Sequence, residues 1–133
     1  MSKFFITTAI DYPNGIPHIG HAYEKVLADV IARYRRLCGD EVFFLTGVDQ
    51  HGQKMQQTAD REGVNVVTLA QRNTRKFIAL WEKLGVHYDG WAATTDERHK
   101  SCVQAILATL HDEGQLYKKA YQGFYSVRQE QYL

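Results

Sequence analysis

Cysteine is scarce in this sequence, with two in 133 residues, Cys38 and Cys102, far apart and each inside a helical pattern. That spacing makes no disulfide framework, and buried free thiols in a reducing cytosol are the expectation. An excess of either charge is lacking too: 16 Lys and Arg stand against 15 Asp and Glu. A near-neutral chain does not carry the basic footprint of an autonomous nucleic-acid binder. No apolar run approaches the roughly 18 residues that cross a bilayer. Met1-Ser2-Lys3 runs directly into a strand-like segment rather than a signal peptide. The chain therefore reads as soluble and cytoplasmic, with no membrane partner. Internal repeats and low-complexity stretches are also missing.

What is present is an ordinary globular composition, 44% hydrophobic and 23% charged, at a length suited to one domain. Phe4-Phe5-Ile6-Thr7-Thr8 is β-prone and apolar almost throughout, as in a strand buried on both faces. A loop of turn formers follows, Asp11 to Pro17. Val26, Leu27, Val30, Ile31, Tyr34, Leu37 and Cys38 then fall at helical spacing, predicting one long amphipathic helix from His18 or Ile19 to Gly39. Val42-Phe43-Phe44-Leu45-Thr46 is a second apolar strand, and a short helix is expected from about Gln53 to Arg61. Leu69, Phe77, Leu80, Trp81 and Leu84 mark a third helix, with Gly85 as its C-terminal cap. Thr94 and Glu97 fit a capping box for a fourth, bearing Val103, Ile106, Leu107 and Leu110 and stopping at Gly114. The tail from Leu116 to Val127 reads as strands around a glycine-containing turn, its tyrosines and phenylalanine forming a small β-structured core.

Strands alternating with helices argue for βαβ units and a parallel sheet. Only two or three strands precede Gln115, where a doubly wound sheet has about five or six. The architecture reads as an incomplete α/β fold.

The sharpest chemical feature is Pro17-His18-Ile19-Gly20-His21, after a strand and loop and at the opening of a long helix. Free N–H groups and the positive end of the helix dipole make such a turn an anion site. His18 and His21 can donate to phosphate oxygens, and Gly20 lets a flat group approach the backbone. Taken without that setting, two histidines three apart are only polar residues at a helix start. A zinc pair is also conceivable, but no cysteine or carboxylate completes it in sequence. The second feature, Thr46 to Lys54, lies just past the second strand. Ligands in open parallel sheets sit beyond the strands' carboxyl ends, so Asp49 and His51 are expected to share the crevice of His18 and His21. A carboxylate there suits the ammonium of an amino acid. Alone, Asp49-Gln50-His51-Gly52 is an ordinary polar loop.

Together these residues resemble the methionyl-tRNA synthetases. Thr8 to Tyr23, containing Tyr12-Pro13-Asn14-Gly15 and His18-Ile19-Gly20-His21, resembles the HIGH signature of that family. Phe43 to Gly52 resembles its second block, and Leu84-Gly85-Val86 and Thr94 to His99 resemble further landmarks. The likeness runs the length of the chain. It implies a Rossmann-like parallel sheet of class I synthetases, the HIGH-type nucleotide-binding half, over residues 1–114. Residues 115–133 resemble the start of a β-containing connecting insertion. It further implies L-methionine, ATP with Mg2+ and tRNA(Met) as substrates and partners of a full-length enzyme. Ala9, Ile10, Tyr12 and Asp49 match methionine-binding positions. His18, Gly20, His21 and Asn14 match ATP-binding ones, the two histidines being the catalytic pair. The roles of His51 and Lys54 stay open.

The family's Lys-Met-Ser-Lys-Ser loop is absent, because Lys54-Met55 sits in the wrong place and lacks the rest. Where relatives carry Cys-x-x-Cys zinc knuckles, Tyr125 to Glu130 has no cysteine, so no metal is expected here. The chain alone is expected to be inactive, and a truncated sheet exposes an edge through which copies can associate. Two alternatives remain open: a stand-alone nucleotidylyltransferase with a His-x-Gly-His turn, and a non-catalytic synthetase-like binding module.

Overall fold

The computed structural model describes residues 2–133, which divide into two compact units, one ending at Lys100 and the other Ser101–Leu133. In the first, β1 (Lys3–Thr7), β2 (Glu41–Val48) and β3 (Gly90–Ala93) form one parallel sheet in the order β1-β2-β3. Helix α1 (Ile19–Leu37) connects β1 to β2; α2 (Gln53–Glu62) and α3 (Val66–Leu84) connect β2 to β3. The α/β fold and its parallel sheet are as expected, and β3, which carries no long apolar run, completes the strand count.

Only one face of the sheet is closed over. Ile6, Val42 and Phe44 point toward Ala28 and Ala32 of α1 and toward Phe77 and Trp81 of α3. The opposite register pair, Phe5 and Phe43, stack at 5.8 Å with 63% and 47% of their surface exposed. The two-sided burial expected of β1 is therefore corrected: period-2 alternation is hidden because apolar residues occupy both faces.

Helix α1 also turns differently from its expected stripe. Lys25, Ala28, Asp29 and Ala32 are buried, whereas Val26, Leu27, Val30, Ile31, Tyr34 and Leu37 remain exposed. Two alanines let the helix lie close against the sheet, so small residues, rather than the largest ones, take the inner face. Helix α3 follows its pattern over most of its length, with Leu69, Phe77 and Trp81 fully buried and Leu80 half-buried, but Leu84, in the last turn, is exposed; Gly85 at φ 67° accepts the left-handed cap.

At Gly47 the sheet admits no side chain, since a Cβ there would lie 1.9 Å from the Ala92 carbonyl oxygen. Thr94 does not cap the helix that follows. Helix α4 (Glu97–Asp112) starts after Asp96, whose carbonyl accepts from Lys100 N–H, while the Thr94 hydroxyl is engaged with the second block. Local spacing could not foresee that long-range competitor. Cys38 and Cys102 are both exposed rather than buried, Cys38 because it caps the end of α1.

In Ser101–Leu133, α4 closes at Gly114, as expected, and none of its side chains is buried. β4 (Tyr125–Ser126) and β5 (Gln131–Tyr132) form a two-residue antiparallel ladder. The expected glycine turn is corrected: residues 127–130 make the connection, with Glu130 at φ 55°, and Gly123 precedes β4. Tyr121 and Tyr125 pack on Tyr132, but Tyr117 and Phe124 stay exposed, so no core of the expected size forms.

Candidate active site

The α1 amino terminus is capped by its own histidines. His18 has extended backbone, and its Nδ1 accepts from Gly20 N–H at 3.1 Å. In return, His18 N–H donates to His21 Nδ1 at 3.1 Å. This is a capping box in which two imidazoles replace the usual Ser and Glu. A neutral imidazole whose Nδ1 accepts carries its proton on Nε2, so both rings are set as Nε2–H donors. The rings lie 3.8 Å apart, and His21 meets the edge of Phe77 at 5.0 Å. Burial lowers the His21 pKa below the ordinary 6.5, with the neighbouring His18 and Lys25 acting the same way and Asp11 opposing. The first turn of α1 has no acidic side chain of its own. At Gly20 a Cβ would lie 3.0 Å from His18 Cε1, so the glycine keeps the folded-back imidazole in place.

The segment before the turn is tied down at several points. Ala9 N–H donates to Glu24 Oε1 at 3.0 Å, and Ala9 O accepts from Lys25 Nζ at 3.0 Å. Lys25 is fully buried and also reaches Asp11 Oδ2 at 2.9 Å and Glu24 Oε2 at 2.7 Å. Asp11 forms an isolated parallel bridge with Val48, through Asp11 N–H to Gly47 O and Asp49 N–H to Asp11 O. Burial raises the Asp11 pKa, opposed by Lys25 and His21, whose Nε2 lies 3.9 Å away. Pro13 is fully buried, and its carbonyl accepts from Asn73 Nδ2 at 2.9 Å.

The second block is ordered by β3 and α3. Asp49 Oδ1 accepts from the Thr94 hydroxyl at 3.1 Å and from His51 N–H at 3.2 Å. Thr94 Oγ1 accepts from Gln50 N–H, and the Gln50 amide donates to Thr74 Oγ1 at 3.0 Å. Asn73 and Thr74, adjacent on α3, thus hold one loop each. The Tyr12 ring reaches to 4.0 Å of where a Gly52 Cβ would stand.

The fold therefore brings the segment Ala9 to Tyr12, the histidine pair and Asp49 into one connected set, with Asp11 as the link. Ala9, Ile10 and Tyr12 stay exposed and Asn14 is half-buried in the turn. His51 and Lys54 are exposed; His51 lines a separate open pocket of about 600 Å³ with Met55, Ala70 and Lys100, to which neither His18 nor His21 contributes. Sequence reasoning assigned no role to Lys25, Glu24, Asn73 or Thr74, and none of the paired kind to Asp11. The available signal was Lys25 itself, a charge on the inner side of a helix that otherwise buries two alanines and Asp29. Among the described residues no group of three or more His, Cys, Asp or Glu is arranged to hold a metal ion. No helix among them is long and apolar enough to cross a membrane.

The model of the class I tRNA synthetases (M) matches residues 4–133. The methionine–tRNA ligase of Rhizobium meliloti (strain 1021) is 53% identical over 131 residues, covering 98% of this chain and 25% of that protein. That of Deinococcus radiodurans is 49% identical over 132 residues, covering 98% and 19%. Among solved structures, Mycobacterium tuberculosis methionyl-tRNA synthetase in complex with methionyl-adenylate superposes with a TM-score of 0.95 at 41% identity. That match covers 100% of this chain and 26% of the other. The chain thus spans about a quarter of the length of these relatives, in their amino-terminal part. A parallel sheet with a histidine-capped helix, matched over nearly every residue, places the chain in the class I tRNA synthetases of the methionine type.

Proposed function

We propose that this chain is the amino-terminal part of the catalytic domain of a methionine–tRNA ligase, residues 1–114, followed from 115 by the start of a connecting insertion. In the full-length protein it takes part in making methionyl-adenylate from L-methionine and ATP, before transfer of the methionyl group to tRNA(Met). One observation carries most of this reading: both Nδ1 atoms of the histidine pair are occupied within the cap, which leaves both Nε2–H groups outside it as donors at the helix terminus.

On this reading His18, Gly20, His21 and Asn14 hold ATP. Ala9, Ile10 and Tyr12 face methionine, and the Asp49 carboxylate takes its ammonium. A methionine carboxylate oxygen attacks the α-phosphorus, and the bond from that phosphorus to the bridging oxygen of pyrophosphate breaks. Pyrophosphate leaves with the electron pair. No protein nucleophile is needed; the imidazole N–H groups and the helix terminus offset charge gathering on the phosphate oxygens. The Mg2+ that accompanies ATP is held by the phosphates of the nucleotide, and no zinc belongs to this part. The setting is cytoplasmic.

Supplied alone, the chain lacks the Lys-Met-Ser-Lys-Ser half and is inactive. Beside β1 only β2 is paired among the described residues, so its outer edge is open to self-association. A monodisperse monomer in sedimentation would overturn that last point. The direct experiment measures methionine-dependent exchange of labelled pyrophosphate into ATP, with the 133-residue chain and with the full-length protein. Exchange by the full-length protein alone is expected. Robust exchange by the short chain overturns its inactivity, and none by the full-length protein overturns the function. Adenylyl transfer to another acceptor, such as pantetheine phosphate, would point to the stand-alone transferase instead. Retained binding of another protein, with no affinity for ATP or methionine, would point to the binding module.

A further inference from the structure

Lys25 is the most deeply buried charge described in the chain, with no solvent exposure, and no role in binding a substrate falls to it. An ammonium has three N–H groups and no acceptor, and it is tolerated away from water only when oxygens meet it. Here the Ala9 carbonyl, the Asp11 carboxylate and Glu24 do so, at 3.0, 2.9 and 2.7 Å, and the Trp81 ring lies 5.7 Å away. Two consecutive residues of α1 thereby grip one residue of the loop: Glu24 takes the Ala9 N–H and Lys25 the Ala9 carbonyl. Two residues further on, the Asp11 main chain is fastened to Gly47 and Asp49. Between and beside these fixings, Ile10 and Tyr12 keep exposed side chains. A backbone held at both ends with its side chains reaching the surface is a pre-organised wall.

We propose that Lys25 is a positioning residue for the amino-acid side of the site, setting the course of the Ala9 to Tyr12 segment, on the reading that this segment faces methionine. The bland alternative is a structural counter-ion for Asp11, and the two part company when both charges are removed.

In the full-length protein, Lys25→Met should raise the methionine KM roughly tenfold or more while the ATP KM changes by less than about twofold, since misplacing a substrate wall acts on that substrate alone. The double variant Lys25→Met/Asp11→Ala removes the uncompensated carboxylate, so it should recover thermal stability yet keep the raised methionine KM. Recovery of a wild-type KM in the double variant would make Lys25 a counter-ion only and overturn the proposal. Should Lys25→Met fail to fold, Glu24→Gln and the double variant carry the test. Glu24→Gln is expected to raise the methionine KM several-fold, and an unchanged value overturns the proposal. Wild-type protein without methionine-dependent exchange would instead overturn the functional reading and this inference with it, whereas an active wild type with an indifferent Lys25→Met overturns the inference alone.

Discussion

The main-chain N–H of Asp49 donates to the carbonyl of Asp11 at 2.9 Å, joining the loop that leads to the histidine turn with the loop that leaves β2. From Asp11 the connection continues through its carboxylate to Lys25 and His21. From Asp49 it continues to Thr94 at the end of β3. Asp11 and Asp49 thus join the two loops, with Lys25 and Thr94 bracing the proposed methionine side and His21 standing on the proposed ATP side.

Thr94→Val leaves Asp49 without a hydroxyl donor and Gln50 N–H without an acceptor, a loss of about 1–3 kcal/mol for the part-buried group. In the full-length protein the methionine KM should rise roughly tenfold, with the ATP KM little changed. Steady-state pyrophosphate exchange checks this, and an unaltered methionine KM would separate Asp49 from substrate binding.

His18 serves both as a cap and as a proposed phosphate donor, and two substitutions divide the roles. His18→Ala should lose about 1 kcal/mol of stability with the cap, whereas His18→Asn keeps a good capping acceptor. Both remove the Nε2–H group, so both should slow exchange by about 100-fold, as loss of one pre-organised donor does. Full exchange by the asparagine variant would reduce His18 to a structural role.

His21 predicts a pH dependence. Its pKa is lowered from 6.5 by burial, so just below 6.5 the unfolded chain binds more protons at this residue than the folded one. The stability it contributes is complete above 6.5 and is lost as pH falls through the folded value. Asp11, with a raised pKa, runs the other way from 3.8 upward. Comparing urea midpoints of wild type and His21→Gln on either side of 6.5 isolates the histidine part. A variant losing stability as steeply as wild type over that window would contradict the assignment. ATP binding should weaken over the same window, because protonating Nδ1 removes its acceptor to His18 N–H.

Gly47→Ala places a methyl group against the Ala92 carbonyl, where backbone must move. A loss of about 1–3 kcal/mol or more is expected in urea unfolding. Gly15→Ala, with nothing within 4 Å of its Cβ, should change stability by less than about 0.5 kcal/mol. Equal effects at the two sites would mean that β3 does not approach β2 so closely.

Much of this arrangement was legible in the residue order. Apolar runs marked β1 and β2, periodicity marked α3, and Gly39, Gly85 and Gly114 marked where helices stop. Histidines after a Pro- and Gly-rich loop marked the start of a long helix, and their surroundings supported the synthetase family. These are rules of short range, each satisfied within a few neighbouring residues. Short-range rules also misled. Thr94 and Glu97 have capping-box spacing, yet Thr94 is committed to Asp49 across 45 positions. Cys38 falls in a helical pattern but caps its end in solvent.

By itself, then, the sequence determined the order and kind of the main elements, the histidine turn at a helix terminus and the family, since propensity, periodicity and capping act locally. Tertiary structure alone decided that α1 turns its alanines and Lys25 inward, leaving Val26, Val30 and Tyr34 exposed. It also made Asp11 the link between the two blocks and gave Pro13 its partner in Asn73, 60 positions away. Those choices depend on how closely a helix can lie on a sheet and on which distant polar group satisfies a buried one. Neither condition exists until the chain has folded.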